Sequence, residues 1–472
     1  MSSKPAPQAA VIKMYAARKE IYPREVKGFY ANLRWACVWI TQLVFYGLPW
    51  LSWNDRQAVL FDLGARKFHI FGLTLWPQDF IYLAALLIIA AFALFLLTAI
   101  AGRIWCGYAC PQTVYTEIFM WIERRFEGNR SARMRLDRQP WSLSKLFRKS
   151  GKHLAWTGVA LWTGLTFVGY FTPMRELLRE AAAFTLGPWE MFWILFYGLA
   201  TYGNAGWLRE QVCKYMCPYA RFQSAMFDKD TLIITYDGER GEPRGARAKQ
   251  GAKQQANEGR GLGDCIDCTM CVQVCPVDID IRNGLQYECI GCAACIDACN
   301  SVMDKVGSPR GLIRYATENA TKLHLSPREM RTRMLRPRVL IYTAIFSAAV
   351  LAVGASLALR VPLKFDVIRD RGALAREVEE GAIENVYRLQ IMNTDEAAHR
   401  YRLTVTGIDS IALATSDEIE LEAASSRAVP VRVRVGQGKG VPGSNAIRFE
   451  LQALDAPNVH AVEKAVFYVP KH

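Results

Sequence analysis

Apolar blocks, polar stretches and a long alternating tail succeed one another along the chain. Five blocks are long enough to cross a bilayer: Leu33–Leu51, Phe80–Ala101, Leu154–Phe171, Trp189–Trp207 and Val339–Leu359. Phe80–Ala101 carries no charge, whereas Glu190, Asn204 and several glycines interrupt Trp189–Trp207. Trp, Tyr and Phe stand at many block ends, where membrane-interface residues belong. These blocks predict a five-span helical bundle. Beyond Leu359 the period falls to two. Val386–Asn393, Tyr401–Thr406, Val429–Val435, Ala446–Leu451 and Ala465–Val469 alternate apolar and polar positions. Turn residues at Asn393–Asp395, Gly436–Gly438 and Pro442–Gly443 separate them, which predicts a small β-sandwich. Between bundle and sandwich, Thr231–Tyr236 reads as one short strand. Residues 237–262, rich in Gly, Lys and Gln, read as a flexible tether.

Charge orients the blocks. The N-terminal arm carries Lys4, Lys13, Arg18, Lys19, Arg24, Lys27 and Arg34. The loop 102–152 holds eleven basic residues, and Arg328, Arg331, Arg333, Arg336 and Arg338 precede the last block. Loops 52–79 and 172–188 are short and nearly balanced. An N-terminus inside and a C-terminus outside satisfy this asymmetry, so residues 208 to 338 are expected in the cytoplasm. No apolar core of signal-peptide length precedes Leu33, so the first block is expected to stay as an uncleaved anchor. The net charge of +14 does not point to nucleic acid: from Arg360 onward 15 basic residues face 16 acidic ones, and the surplus lies with the membrane part. It suits anionic lipid.

Eight cysteines then set the chemistry. They run Cys265-x2-Cys268-x2-Cys271-x3-Cys275-Pro276 and Cys289-x2-Cys292-x2-Cys295-x3-Cys299. This is the bacterial ferredoxin spacing written twice, in which each tight run wraps one [4Fe-4S] cubane and its distant fourth cysteine ligates the other. Cys265, Cys268, Cys271 and Cys299 are thus expected to hold one cluster, and Cys289, Cys292, Cys295 and Cys275 the second. Zinc motifs pair their cysteines across a longer gap. Asn300 stands where a proline usually closes the second run. Two clusters mean electron relay. With no dinucleotide fingerprint or Walker loop in the sequence, the electrons are expected from a partner or from quinol.

A second cysteine set repeats as well. Cys106-x3-Cys110-Pro111 follows the second block and Cys213-x3-Cys217-Pro218 follows the fourth. Proline disfavours helix before it and starts one well, so each pair is expected in the turn between a span and a surface helix; Thr113–Phe126 reads as one such helix. Four thiols at one membrane surface leave three readings: a buried structural pair in each loop, a site for copper or another soft metal, or a redox disulfide. Met216 offers a thioether or packs against the bilayer. Cys37 reads as filler in the first span. His153 reads as a polar residue at a span mouth, with haem ligation the alternative.

Together the two C-x3-C-P pairs, the doubled ferredoxin run and the alternating tail resemble the cytochrome c oxidase accessory proteins CcoG, also called FixG or RdxA. Trp105-Cys-Gly-Tyr-Ala-Cys-Pro-Gln-Thr-Val-Tyr115 is especially characteristic. The resemblance implies a multidomain membrane protein with an immunoglobulin-like C-terminal domain, acting as a Cu(II) reductase in assembly of a cbb3-type oxidase. It implies that Cys106, Cys110, Cys213 and Cys217 handle copper. The expected organisation is an arm (1–32), a four-span domain (33–236), the linker (237–262), a 2[4Fe-4S] ferredoxin-like α+β insert (263–310), a basic connector (311–338), a fifth span (339–359) and a periplasmic Ig-like β-sandwich (360–472). A bacterial inner membrane is the expected location. Expected partners are membrane lipid, an oxidase assembly factor or copper chaperone, an unidentified electron donor and a second copy of the chain. The competing functions are a quinol-oxidising ferredoxin subunit and a membrane redox sensor.

Overall fold

A computed structural model describes residues 20–246, 261–370, 375–378 and 381–470. The chain forms two compact units. One gathers the residues up to Tyr46 with Ala91–Phe167 and Gly187–Ala344; the other takes Gly47–Ala90, Val168–Leu186 and the residues from Ile345.

All five apolar blocks fall on helices, but not equally. Among the described residues two helices are long and apolar enough to cross a membrane, Pro77–Ala101 and Pro337–Ala358. The other three blocks lie on Phe29–Gly47, Leu143–Val168 and Pro188–Thr201. Leu143–Val168 starts well before Leu154, and its added first half carries Lys145, Arg148, Lys149 and Lys152. Pro188–Thr201 is short and passes into a π-helical stretch at Tyr202–Leu208. The sequence between the first two blocks is not a plain loop. It builds a three-stranded antiparallel sheet from Val59–Asp62, Lys67–Ile70 and Leu73–Leu75.

The ferredoxin region is closed by an antiparallel strand pair, Ile233–Tyr236 with Ile313–Ala316. The expected strand is thus present, and its partner lies beyond 263–310. The core behind the pair is Ile234, Ile281, Ile296, Met303, Leu312 and Ile313. Of the expected tether, 247–260 lies outside the described residues. Residues 237–246 are built in: Asp237 caps the one-turn helix Gly238–Gly241, and Arg240 pairs with Asp264 at 2.6 Å.

The tail is a two-sheet β structure. One sheet runs Ala412–Leu413, Ser426–Val435, Ile383–Asn393, Leu363–Arg369; the other runs Glu418–Leu421, His399–Thr406, Gly443–Ala453, His460–Val469. Each of the five alternating runs falls within one of these strands. Alternate residues face inward, as a half-buried strand requires: Tyr387, Leu389 and Ile391 from the first sheet meet Tyr401, Leu403, Phe449 and Leu451 from the second. The Tyr387 hydroxyl donates to the Val466 carbonyl at 2.9 Å, so the buried ring keeps its polar end satisfied.

Candidate metal-cluster site

The two ferredoxin loops are conformational twins. Asp267 and Thr269 have φ of 53° and 54°; at the same places in the second loop Gly291 and Ala293 have 69° and 59°. Three of these four are not glycine, and left-handed backbone is costly for them. The bends bring three cysteines together within seven residues of each loop; in the first, Cys265 and Cys271 are buried and Cys268 is exposed. A helix follows each bend, Met270–Gln273 and Ala294–Val306.

The fourth cysteine of each run lies within electrostatic reach of thiols from the other run. Burial first, then the thiols of Cys271, Cys268 and Cys265, push the Cys299 thiol up to about 12. Burial and then Cys292, with Cys289 further down, push Cys275 up to about 12. Cys295 is driven well above its ordinary range by burial and by Cys292, Cys289, Cys275 and Cys271. A small cavity of about 20 Å³ is lined by Cys275, Cys289, Cys292 and Cys295, with Cys271 of the first run and with Val277 and Ile290. Thiols pushed this far up stay neutral unless a cation offsets the burial. The donor set therefore fits a bound iron–sulfur cluster, whose iron supplies that charge. Among the described residues no three His, Cys, Asp or Glu side chains converge on a single ion.

The C-x3-C-P cysteines are placed by helix starts. Cys110 is the N-cap of Pro111–Glu127 and Cys217 the N-cap of Pro218–Met226, each with proline at the first helical position. Cys106 lies in a one-turn helix, Ile104–Tyr108, and Cys213 in a π-helical turn, Val212–Met216, so neither sits in an open turn. All four are free thiols and half-buried. Burial pushes Cys106 up to about 12, with Cys110, Cys213 and Cys217 adding to it and Arg103 opposing. Cys213 rises to about 11 by burial and by Cys110 and Cys217, again opposed by Arg103. Burial raises Cys110 as well, against the amides of Gln112 and Thr113. The Cys106 thiol faces the fully buried Gln223, with Sγ 3.2 Å from Oε1.

This second group abuts the second ferredoxin loop. A Cβ at Gly107 would stand 2.9 Å from the Cys292 amide nitrogen and from the Gly291 carbonyl, so no other residue fits without moving backbone. Cys106 and Cys213 pack on the cluster of Val277, Ile290, Cys292 and Ala294. Tyr315, from the closing strand pair, donates to the Gly291 carbonyl at 2.6 Å. The first helix is tied in as well, since Asp297 accepts from the amides of Tyr30 and Ala31 at 3.3 and 2.8 Å and so caps Phe29–Gly47.

Sequence reasoning missed Arg103, Gly107, Gly291, Tyr315 and Asp297. The glycines inside both cysteine motifs were a usable signal, and the others were not. His153 bonds Tyr202 at 2.9 Å and stacks on Trp207. Met216 is exposed, and Cys37 is half-buried in the first helix.

Three family models match the chain. A 4Fe-4S dicluster domain covers residues 208–318, a 4Fe-4S binding domain covers 83–129, and the IG-like fold at the C-terminus of FixG covers 353–470. Protein RdxB of Cereibacter sphaeroides is 40% identical over 461 residues, 95% of each chain. The nitrogen fixation protein FixG of Rhizobium meliloti is 37% identical over 497 residues, covering 97% of this chain and 94% of that one. The chain belongs to the FixG/RdxA family. It carries ferredoxin-type 4Fe-4S domains and the family's Ig-like C-terminal domain. The crystal structure of a FixG-related protein from Vibrio parahaemolyticus matches at 23% identity and a TM-score of 0.21, over 24% of this chain and 98% of that one.

Proposed function

We propose that this FixG/RdxA-family protein is a membrane-bound electron carrier that reduces Cu(II) to Cu(I) on the cytoplasmic side, for assembly of a cbb3-type oxidase. One observation carries the reading: Cys106 and Cys213, one from each C-x3-C-P pair, pack beside Cys292, and the Gly107 backbone closely approaches the Gly291–Cys292 loop. Cys265, Cys268, Cys271 and Cys299 are the ligands of one cluster in this account, and Cys289, Cys292, Cys295 and Cys275 those of the other. Bound [4Fe-4S] clusters supply one-electron relay. Tyr315 holds the Gly291 carbonyl and Gly107 admits the close approach, so the exit group stays against the second ligand loop. The buried Arg103 opposes the rise of both Cys106 and Cys289, and so lends one positive charge to both groups. Sulfur donors favour copper as the acceptor, because soft ligands stabilise Cu(I). Each electron converts one Cu(II) to one Cu(I), with no proton required, and a copper chaperone takes the product. Full-length protein, reduced anaerobically and freed of reductant, should convert Cu(II) to Cu(I). The quadruple variant C106S/C110S/C213S/C217S should lose most of that activity, and wild-type rates in the variant would rule out the exit site.

The five-span topology belongs to the same proposal. Its support is the loop asymmetry in Lys and Arg and the two apolar helices, Pro77–Ala101 and Pro337–Ala358. A reporter that works only in the periplasm should be active when fused after His472 and silent when fused at Gly259. The reverse pattern would put the clusters on the wrong side.

A further inference from the structure

We infer that the cavity between the Leu143–Val168 helix and the π-helical stretch Tyr202–Leu208 is a quinol-oxidising site, where electrons enter the chain. The inference rests on the electron-relay reading and names the donor that feeds it. The cavity measures about 380 Å³, within the range of about 300–1,000 Å³ usual for small-molecule sites. Its walls include His153, Trp156, Trp207, Arg209 and Glu210. His153 and Trp156 stand where the third apolar block begins, and Trp207 where the fourth ends. In the five-span reading both are cytoplasmic block ends, which a donor dissolved in the bilayer can reach.

The walls suit a donor of protons rather than an anion. Cations line the cavity, but carboxylates already hold them: Arg209 meets Glu123 at 3.1 Å, Lys152 meets Glu127 at 2.8 Å and Lys149 meets Asp137 at 2.6 Å. Two acceptors are left over. Glu210 is only 6% exposed, and its one hydrogen bond among the described residues comes from its neighbour Gln211, at 2.9 Å. A buried carboxylate in that state calls for a polar ligand. His153 Nδ1 lies 2.9 Å from the Tyr202 hydroxyl; in the tautomer that donates there, Nε2 is left as an acceptor with no partner among the described residues. The His153 ring stacks on Trp207, with centroids 5.9 Å and planes 17° apart, and meets Trp156 edge-on at 5.3 Å. A flat ring carrying two hydroxyls matches aromatic walls with two proton acceptors.

The backbone is bent to build this wall. Arg209 lies between the π-helical stretches Tyr202–Leu208 and Val212–Met216 and has a φ of 40°, a costly value for a residue with a side chain. Such π-helical turns are frequent at functional sites. Arg209 and Glu210 also line a second, smaller cavity of about 40 Å³, together with Cys213 and Cys292. The donor site and the second ligand loop thus share a wall. Oxidation of one quinol breaks two O–H bonds and yields one quinone, two protons and two electrons. Glu210 takes one proton and His153 Nε2 the other, and both are then released to water. The electrons go one to each ferredoxin cluster and leave singly to Cu(II). A two-electron donor is thereby matched to a one-electron acceptor.

The test uses anaerobic full-length protein in detergent, with decylubiquinol and menadiol as donors and decylubiquinone as the binding probe. Wild type should bind decylubiquinone saturably in a calorimetric titration, and the quinols should bleach its iron–sulfur absorbance. Glu210→Gln should slow bleaching by about 100-fold or more, the usual loss when a proton acceptor is removed. Trp207→Ala should weaken decylubiquinone binding by about 10-fold. Both variants, reduced with dithionite and then freed of it, should convert Cu(II) at the wild-type rate. No bleaching of the wild type by either quinol overturns the inference, as does wild-type bleaching in Glu210→Gln or unchanged binding in Trp207→Ala. Slow Cu(II) conversion by the dithionite-reduced variants overturns it too, because the two residues would then act on the relay and not on the donor. Should Glu210→Gln fail to accumulate, His153→Gln takes its place with the same expectations. Bleaching by quinol without Cu(II) reduction would keep the donor site and end the copper reading. Cu(II) reduction by dithionite-reduced protein that quinol cannot bleach would do the opposite.

Discussion

Cys292→Ser should empty the second ferredoxin site of its cluster and bring Cu(II) reduction to background. The Cys292 side chain is buried, and its thiol acts on Cys275, Cys289 and Cys295. A serine hydroxyl is a hard, poorly acidic donor in a site whose burial already opposes ionisation. Losing a direct ligand should cost more than the about 10- to 100-fold that follows loss of an outer-shell partner. The position matters for transfer too, because this loop meets Gly107 and its carbonyl accepts from Arg34 at 3.0 Å. Iron content should drop by about four atoms per chain, one cubane's worth. The C-terminal β domain, whose core is its own, should keep its far-UV signature. Full iron content with normal reduction would remove Cys292 from the relay.

Glu123→Ala should be the most destabilising single change outside the cysteines. This carboxylate on Pro111–Glu127 is buried and meets Arg133 at 2.8 Å, Arg209 at 3.1 Å and Lys152 at 3.9 Å. Deleting it leaves Arg133, itself almost fully buried, without its charge partner. Breaking a buried pair from one side costs about 3–5 kcal/mol, so the detergent-solubilised protein should lose its helical signal at a clearly lower temperature. Glu123→Gln keeps some hydrogen bonding and should lie between. Acid should reproduce the effect. Burial tends to raise the Glu123 carboxyl, but Arg209, Arg133 and Lys152 outweigh it and hold the group below the usual range. A depressed carboxyl stabilises the fold above its unfolded pKa, and that stability fades as pH falls through the folded one. Unfolding temperature should therefore stay level from neutral to about pH 5 and decline below it, with a smaller decline in Glu123→Ala.

What was legible in the sequence was local. The cluster runs are read by counting, since three cysteines per loop must lie within seven residues. The tail strands are read because one face of each is buried, as Tyr387, Leu389 and Ile391 show. The edge strands Leu363–Arg369 and Glu418–Leu421 were not predicted: Glu418–Leu421 is only four residues long, and the alternation of Leu363, Phe365 and Val367 directly follows the last apolar block and was passed over. The start of Leu143–Val168 was misplaced for another reason. Its lysines are neither apolar nor free, since Lys149 and Lys152 reach the buried Glu127 at 3.1 and 2.8 Å and hold a polar stretch in the helix. The pairing of Ile233–Tyr236 with Ile313–Ala316 left no mark in the sequence, because the two strands are far apart in the chain. The two C-x3-C-P motifs could be seen to repeat. That Cys106 and Cys213 pack beside Cys292 and both feel Arg103 needed the fold.

The central claim is that electrons pass from the ferredoxin cysteines to the C-x3-C-P group and on to Cu(II). Single-turnover reoxidation tests it most directly. Anaerobically reduced wild type and C106S/C110S/C213S/C217S, both still holding their ferredoxin clusters, are mixed with Cu(II), and the iron–sulfur absorbance is followed alongside a Cu(I) indicator. The account predicts that in the wild type the absorbance recovers in step with Cu(I), one electron for one copper, and that in the variant the clusters stay reduced. Recovery in the variant at the wild-type rate would contradict it.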